Sequence, residues 1–300
     1  MMDSIVITVS STAILFSALA IITNSWLLFS IFVSQKLKKS SSLALFYAKF
    51  AVDIVFGFAD LVTVFLMLSK LLSTSPGILD YYPNLYFYAV WSALTISNLR
   101  TFFVLTINFD RVFAVFFPLF YFKFRVKIAN SVLILIPFLH IIVDNSVLWG
   151  FCEFELNISS GCITSICLGM SCYIKYLLAL EVVAHSLIVS TSLLLAGKLF
   201  IWNNCKTGVK SKELERANQL ALIDALIIFV FGVVPAVVMT IFPSLFERLG
   251  SILIVAKMSG NALESYLVYR ALKREKVTTS TVKARSFLAA GATSTKQISD

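Results

Sequence analysis

Seven long, mostly apolar segments dominate the chain and favour a membrane bundle over any soluble fold. They cover about residues 5–33, 43–68, 85–109, 128–149, 176–200, 219–242 and 250–271. Each segment is long enough to cross the hydrocarbon core of a bilayer, which takes about 20 apolar residues. Because 59% of all residues are hydrophobic and only 14% are charged, the chain lacks the polar surface that a soluble globule needs. We therefore predict an all-α membrane protein, a seven-transmembrane helix bundle embedded in a lipid bilayer.

Lysine and arginine are concentrated in alternate connections between these segments. They occur at Lys36, Lys38 and Lys39, at Lys123, Arg125 and Lys127, at Lys206, Lys210, Lys212 and Arg216, and from Lys273 onward. Positively charged connections are typical of the cytoplasmic side of a membrane. The N-terminus is therefore predicted to lie outside and the C-terminus in the cytoplasm. The net charge of +9 reflects this topology, so we expect no nucleic-acid partner.

The connections between the segments are too short to hold a catalytic domain. We predict a membrane domain at residues 1–272 and a basic, Ser/Thr-rich cytoplasmic tail at residues 273–300. The tail is interpreted either as disordered or as a short helix along the inner leaflet. The two histidines, His140 and His185, lie in different segments and offer no metal triad. We therefore predict no enzyme, no metal and no cofactor.

Four cysteines fall in one outer connection, between the fourth and fifth segments. An oxidising compartment favours two disulfides among Cys152, Cys162, Cys167 and Cys172, with three pairings that the sequence leaves open. Asn157 begins an Asn-Ile-Ser triplet in the same connection. This triplet is an acceptor for N-glycosylation, and its predicted side of the membrane is the one where that modification occurs.

Ionisable residues inside the apolar segments predict functional or structural sites, because a charge in the bilayer interior is costly. Asp53 in the second segment and Arg100 in the third lie at a similar predicted depth, which favours a buried Asp53–Arg100 pair. Alternatively, Lys49 lies one turn from Asp53 and pairs with it, leaving Arg100 to a polar ligand or to Asp60. The sequence leaves both arrangements open.

A second polar group is predicted in the outer half of the bundle. Glu181 and His185 are spaced by one helical turn, and Lys257 lies about two turns into the seventh segment. With Tyr88 and Trp91 near the start of the third segment, they predict an outward-facing pocket. The alternatives are a hydrogen-bonded core histidine and a solvated lysine. A pocket of this kind suits an amphipathic small molecule with a charged or hydrogen-bonding head.

One stretch resembles a known signature. "DRVFAVFFPLFY", residues 110–121, is similar to the Asp-Arg-Tyr-x-Ala-Ile/Val-x-x-Pro-Leu-x-Tyr signature of rhodopsin-like G-protein-coupled receptors, with valine in place of the first tyrosine. Asp110 and Arg111 are expected to end the third helix at the inner membrane face. The outer cysteine loop, "FYAKFAVDIVFG" and "LERANQLALIDALIIF" resemble the nematode serpentine chemoreceptor class Srbc.

Further positions agree with this resemblance or depart from it. Asn24 and Asp53 match the polar residues of the first and second helices, and Phe229 and Pro235 match a phenylalanine and a kink proline of the sixth. Departures include Val233 at the position of the sixth-helix tryptophan. The family's sodium site also has a counterpart here, since Arg100 stands at its helix-3 position. The resemblance therefore implies that a guanidinium replaces the cation.

The resemblance also implies a coupling switch at the inner end of the bundle. Its members are Asp110, Arg111, Pro235, Tyr269 and an acidic residue 20 positions before the proline, which is Glu215. An Arg111–Glu215 bridge is expected to hold the inactive state. The alternative is that Glu215 is a solvated charge paired with a neighbouring basic residue, since exposed pairs are common and weak.

The resemblance predicts a chemosensory receptor with two partners. A small extracellular molecule, an odorant or pheromone, binds from outside, and a heterotrimeric G protein binds on the cytoplasmic side. The expected location is the plasma membrane of sensory neurons or their cilia. A seven-helix ligand-gated channel or a transporter is the alternative. A retinal-binding photoreceptor would use Lys257 and is a weaker interpretation.

Overall fold

The computed structural model describes residues 2–35, 37, 40, 43–72, 82–125, 127–156, 171–204, 212–241 and 252–294, and all regular secondary structure in these ranges is helical. The helices are α1 (Met2–Phe32), α2 (Ala44–Leu72), α3 (Pro83–Phe116), α4 (Pro118–Arg125), α5 (Asn130–Asn145), α6 (Ser171–Asn204), α7 (Lys212–Ile228), α8 (Val234–Ile241) and α9 (Ile252–Ser294). Two π-helical segments continue the chain, Ser146–Phe151 after α5 and Phe229–Val233 between α7 and α8.

Each of the seven predicted segments overlaps a helix of the structure. Among the described residues, five helices are long and apolar enough to cross a membrane: Ser4–Phe32, Ala44–Leu72, Asn84–Phe116, Asn130–Phe151 and Cys172–Lys198. The sixth segment contains the shorter apolar helix Asn218–Val233. The seventh lies within α9, where charged residues interrupt the apolar pattern. The predicted all-helical bundle is confirmed.

The inner end of α3 differs from the expectation. Asp110 and Arg111 do not end this helix, which continues to Phe116. The two charges satisfy each other through an ion pair, so they do not interrupt the backbone ladder. The last helical residue is Phe116, and only Phe117 separates it from Pro118. Proline lacks the N–H of a helix interior and disfavours the α conformation of the residue before it, so the helix ends here. Pro118 then begins α4.

The last helix is longer than the predicted seventh segment. α9 extends from Ile252 to Ser294 and includes most of the segment at 273–300. No glycine or proline occurs between Gly260 and Gly291, so no residue with poor helix propensity interrupts it. The expected boundary at residue 272 is therefore not a break in the backbone.

Helix α3 lies at the centre of the bundle. It packs against α2, α5, α6 and α7, while α9 packs against α1, α2 and α7. Contacts between α1 and α9, and between α1 and α2, complete the ring. Side chains on α3 therefore reach most of the bundle interior.

The distribution of side chains is the reverse of that in a soluble protein. Lys49, Asp53 and Glu264 are at most 1% exposed, whereas Leu193 and Phe65 are 68% and 60% exposed. Lipid is as apolar as leucine, so outward-facing leucines and phenylalanines carry no penalty there. Charged groups inside the bundle must instead find partners among neighbouring helices. These buried charges form the candidate site.

The contact between α9 and the second π-helical segment depends on a glycine. A Cβ atom added at Gly260 would lie 2.8 Å from the Cβ atom of Phe231, which cannot move away without a backbone shift. We expect Gly260→Ala to lower the thermal stability of purified protein by about 1–3 kcal/mol, the usual cost of overpacking.

Gly197→Ala is the matched control, because nothing lies within 4 Å of the added methyl group on α6. It should leave the melting temperature unchanged or raise it slightly. Equal melting temperatures for the two variants would contradict the close approach at Gly260.

Candidate functional site: a buried ion cluster beneath an interhelical cavity

Five charged side chains from four helices meet inside the bundle, and we call them the buried ion cluster. Two are cations and three are carboxylates. They are Lys49 and Asp53 on α2, Arg100 on α3, Asp224 on α7 and Glu264 on α9. Arg100 has the most exposed side chain of the five, at 12%.

Lys49 connects three helices. Its Nζ atom lies 3.0 Å from Oδ1 of Asp224, forms an ion pair with Oε1 of Glu264, and lies 3.4 Å from Oδ2 of Asp53. The side chain is fully buried. Lys49 donates hydrogen bonds to Asp224 and Glu264, whereas its contact with Asp53 is an ion pair without a hydrogen bond. Lys49 therefore ties α7 and α9 to α2.

Arg100 joins the same carboxylates from the opposite side. Its Nε atom donates to Oδ1 of Asp53 at 2.6 Å, and Nη2 donates to Oε2 of Glu264 at 3.0 Å. Asp53 is thus paired with both Arg100 and Lys49, the two partners that the sequence offered for it. Asp60 is not a partner of Arg100. It is buried, and its Oδ2 atom has no hydrogen-bond partner in the described part of the chain.

Two members of the cluster, Asp224 and Glu264, are not among the predicted site residues. The signal for them was in the sequence, because each is an ionisable residue inside an apolar segment. Their partner is Lys49, which the sequence placed only one turn from Asp53. Knowing that α7 and α9 present these carboxylates to α2 requires the rotation of each helix, which the spacing alone does not give.

A cavity adjoins the buried ion cluster and shares Arg100 with it. Polar and apolar side chains from α2, α3, α6, α7, the second π-helical segment and α9 line it. The lining residues are Phe56, Ser97, Arg100, Thr101, His185, Ile227, Ile228, Phe231, Gly232, Lys257, Gly260 and Asn261. The cavity is therefore in direct contact with one cation of the cluster.

Two predicted pocket residues line this cavity, and a third contacts them. His185 and Lys257 are lining residues. Nζ of Lys257 lies 2.9 Å from Oε1 of Glu181 and 3.5 Å from Oγ of Ser97. The Lys257–Glu181 ion pair joins α9 to α6. The Lys257 side chain is 27% exposed and the Glu181 side chain 24%.

The other two predicted pocket residues lie apart from the cavity lining. Tyr88 is 48% exposed. Trp91 stacks on Phe87, with ring centroids 6.4 Å apart, and Phe87 in turn stacks on Phe154 at 4.9 Å. These aromatic rings pack the start of α3 against the segment that follows α5. Sequence spacing did not separate this aromatic cluster from the polar cavity.

A second buried polar group connects α3, α5 and α6. Oδ2 of Asp144 accepts hydrogen bonds from the hydroxyl groups of Tyr173, at 2.7 Å, and Thr95, at 3.3 Å. Nε2 of His140 lies 3.7 Å from Oδ1 of the same aspartate, and the His140 ring stacks on Phe102. His140 was a residue without an assigned role in the sequence, and Asp144 explains its burial.

The inner end of α3 is held by contacts with α4 and α5. Asp110 forms an ion pair with Arg111, and its Oδ1 atom also lies 3.2 Å from Nε of Arg125. Nη2 of Arg111 donates to the Tyr121 hydroxyl at 3.2 Å. Burial raises the pKa of the Tyr121 phenol, although the nearby Arg111 guanidinium opposes this shift. The phenol is therefore protonated at neutral pH and able to donate to Asp110, 3.3 Å away.

The remaining predicted switch residues lie at different levels of the bundle. Pro235 is the second residue of α8, directly after the π-helical segment. Tyr269 packs against the hydrophobic cluster at the inner end, and Nζ of Lys273 lies 6.0 Å from its ring centroid. The backbone of Glu215 belongs to α7, but its side chain lies outside the described part of the structure. The Arg111–Glu215 bridge therefore stays a prediction.

Comparison with protein families identifies the chain. A family model described as "Serpentine type 7TM GPCR chemoreceptor Srbc" matches residues 2–276. The chain belongs to the Srbc family. No curated protein gave a significant match. The Srbc chemoreceptors are seven-transmembrane receptors rather than enzymes, so the predicted class is confirmed.

Membership in Srbc makes the protein a multi-pass membrane receptor of the chemosensory G-protein-coupled class. The region that the family model matches, residues 2–276, contains all five members of the buried ion cluster and every residue that lines the cavity. Within the described residues, no group of three His, Cys, Asp or Glu side chains is arranged to hold a metal ion.

The connection between α5 and α6 of this Srbc receptor contains one disulfide in the described residues. Cys152 is bonded to Cys172, which is one of the combinations that the sequence left open. It joins the segment after α5 to the start of α6, next to Tyr173. Cys162, Cys167 and the glycosylation acceptor Asn157 lie outside the described residues.

The cluster geometry predicts strong coupling between Lys49 and Asp224. Lys49→Met leaves three buried carboxylates with a single cation, and removing one partner of a buried ion pair typically costs about 3–5 kcal/mol. Adding Asp224→Asn to Lys49→Met removes one of the uncompensated charges. We therefore expect the double variant to lose less stability than the sum of the two single variants.

The measurement is thermal unfolding of the purified receptor, with Lys175→Met as the control because that lysine is exposed at the outer end of α6. Effects of the two single variants that add to within about 0.5 kcal/mol would show that the two side chains do not interact.

Proposed function

We propose that the protein is a ligand-operated switch that activates a heterotrimeric G protein. A small molecule enters from the extracellular side and occupies the cavity beside the buried ion cluster. The observation that carries this proposal is the position of Arg100, which lines the cavity and also bonds Asp53 and Glu264. A ligand that contacts Arg100 thereby changes the partners available to the cluster.

The route from the cavity to the cytoplasmic side passes through the cluster. Glu264 forms ion pairs with both Arg100 and Lys49. Lys49 also forms an ion pair with Asp224 on α7. A rearrangement at Arg100 therefore changes the electrostatic interactions of Lys49. This in turn changes the strength of the Lys49–Asp224 ion pair, which attaches α7 to α2. A ligand drives this rearrangement only as far as it binds one packing of the bundle more tightly than the other.

The second π-helical segment supplies a place where the helix can change direction. Phe229–Val233 contributes Phe231 and Gly232 to the cavity lining, and Pro235 is the second residue after it, in α8. π-helical turns within longer helices are frequent at functional sites, because their hydrogen bonds are easily rearranged. We infer that α7 moves relative to α8 at this segment when the ion cluster releases Asp224.

Movement of the inner part of α7 would expose the inner end of α3. Arg111 is buried there, tied to Asp110 and Tyr121. We propose that Arg111 and the basic residues around Arg125 contact the G protein once α7 has moved. An Arg111–Glu215 bridge is proposed as a second restraint on α7. Srbc membership supports a receptor role of this kind in general terms.

The proposed orientation is N-terminus outside and C-terminus cytoplasmic, based on the positive-inside bias. Exposure of the chain at the plasma membrane of a sensory cell follows from the chemosensory role. An engineered N-glycosylation acceptor near the N-terminus tests the orientation. An acceptor that stays unglycosylated in intact cells would favour the opposite topology, which a channel of the insect odorant-receptor kind requires.

We expect variants that weaken the attachment of α7 to raise ligand-free signalling. Asp224→Asn removes one carboxylate from Lys49, and Glu215→Ala removes the proposed restraint at the inner end. Each should increase basal G-protein activation about fivefold or more, which corresponds to a typical allosteric coupling energy of about 1 kcal/mol. The readout is nucleotide exchange or second-messenger production per receptor at the cell surface.

Asp144→Asn is the matched control for Asp224→Asn. Asp144 is also a buried aspartate, but its partners are on α3, α5 and α6 rather than α7. Arg111→Ala should abolish signalling in every background. Unchanged basal signalling in both Asp224→Asn and Glu215→Ala, at normal surface expression, would contradict the proposed restraint of α7.

A further inference from the structure

The polar part of the cavity lining has a clear charge preference. Its described members include two basic side chains, Arg100 and Lys257, and no carboxylate. The three carboxylates of the buried ion cluster lie outside the lining, and Lys49 and Arg100 engage them. A ligand in the cavity therefore meets cationic and hydroxyl groups first.

Arg100 keeps part of its hydrogen-bonding capacity for the cavity. A guanidinium has five N–H donors. Nε and one N–H of Nη2 are used for Asp53 and Glu264. The side chain is 12% exposed, so it is accessible from the cavity that it lines. The remaining donors suit a planar anion, because guanidinium groups bind carboxylates in a paired geometry.

Lys257 provides a second cation that can exchange partners. It is held by Glu181 on α6, which is not among the lining residues, and both side chains are about one-quarter exposed. Partly exposed ion pairs are weak compared with buried ones. A ligand anion is therefore able to replace Glu181 as the partner of Lys257. A ligand cation at the same place would face both Lys257 and Arg100.

The rest of the lining indicates the other end of the ligand. Phe56, Ile227, Ile228 and Phe231 provide apolar contacts from α2, α7 and the second π-helical segment. Gly232 leaves space beside His185, since a Cβ atom added there would lie 3.7 Å from Nε2 of that histidine. The lining thus combines a cationic region with an apolar region.

We propose that the cavity, whose volume of about 20 Å³ in this packing of the helices fits one water molecule, widens to bind small amphipathic organic anions, with a carboxylate between Lys257 and Arg100 and an apolar tail against the aromatic and aliphatic lining. This ligand class rests on the proposed function, because it specifies what the receptor binds in that cavity. Lys257 is the residue that selects the charge of the head group. Arg100 changes its contacts with Asp53 and Glu264 when the anion binds, and so couples the ligand to the buried ion cluster.

Ligand binding to purified receptor tests this proposal without involving a G protein. The probes are matched sets in which an acid, an alcohol and an amine share one carbon skeleton, for example hexanoate, hexan-1-ol and hexylamine, or the corresponding phenylpropyl compounds. The readout is the ligand-dependent rise in melting temperature. We expect the acids to stabilise the receptor at concentrations about tenfold lower than the alcohols or amines, since hydrogen bonds to charged groups dominate such selectivity.

A charge swap provides the sharpest variant. Glu181→Lys combined with Lys257→Glu keeps an ion pair between α6 and α9, so the fold has the same contact available, but it places a carboxylate at the cavity. The double variant should lose the preference for acids and bind the amines more tightly. Lys257→Met should weaken binding of the acids about tenfold, and Lys175→Met, which changes an exposed lysine away from the lining, should not.

The outcomes separate this inference from the proposed function. Preference for amines or alcohols in the wild-type receptor, or no selectivity change in the charge-swapped variant, would overturn the anion proposal. No stabilisation by any probe would overturn it as well. If acids bind with the expected selectivity but never change G-protein activation, the ligand class stands and the proposed signalling role fails.

Discussion

The structure depends on how a fully buried ammonium group is compensated. Lys49 has no access to solvent, and its charge is balanced by Asp53, Asp224 and Glu264 from three different helices. An isolated charge in a membrane interior is very costly. The helices that carry these carboxylates are therefore constrained to the positions in which they reach Lys49. The packing of α7 and α9 against α2 follows from this constraint as much as from apolar contacts.

Because of the same constraint, α7 and the π-helical segment that continues it contact functional groups at two places. The inner part of α7 is attached to α2 through Asp224, and its outer continuation contributes Phe231 and Gly232 to the cavity. Gly260 permits the close approach of α9 at the same level. The proposed ligand and the buried ion cluster would therefore act on neighbouring turns of one helix. This proximity allows a small change at Arg100 to affect α7 without a long pathway of intermediate contacts.

Much of this arrangement was predictable from sequence, and the reasons for the remainder are physical. Segment length and apolarity predicted the bundle. Helical depth offered Arg100 as one of two partners for Asp53, because rise per residue is nearly constant along a helix. Asp224 and Glu264 were missed because depth does not specify rotation about the helix axis. Tyr88 and Trp91 precede the α3 lining residues by about two to three helical turns, and Trp91 packs into an aromatic cluster. Pro118, rather than the charges at Asp110 and Arg111, determines where α3 ends.

The central claim is that the buried ion cluster holds the inner part of α7 against the rest of the bundle. A distance measurement between labels on Phe120 of α4 and Gln219 of α7, both exposed, tests it most directly, with the labels introduced as non-natural amino acids. In receptor carrying Asp224→Asn, the distance distribution should gain a longer component that is absent from Asp144→Asn and from the wild type. An identical distribution in all three proteins, each folded and stable, would contradict the account.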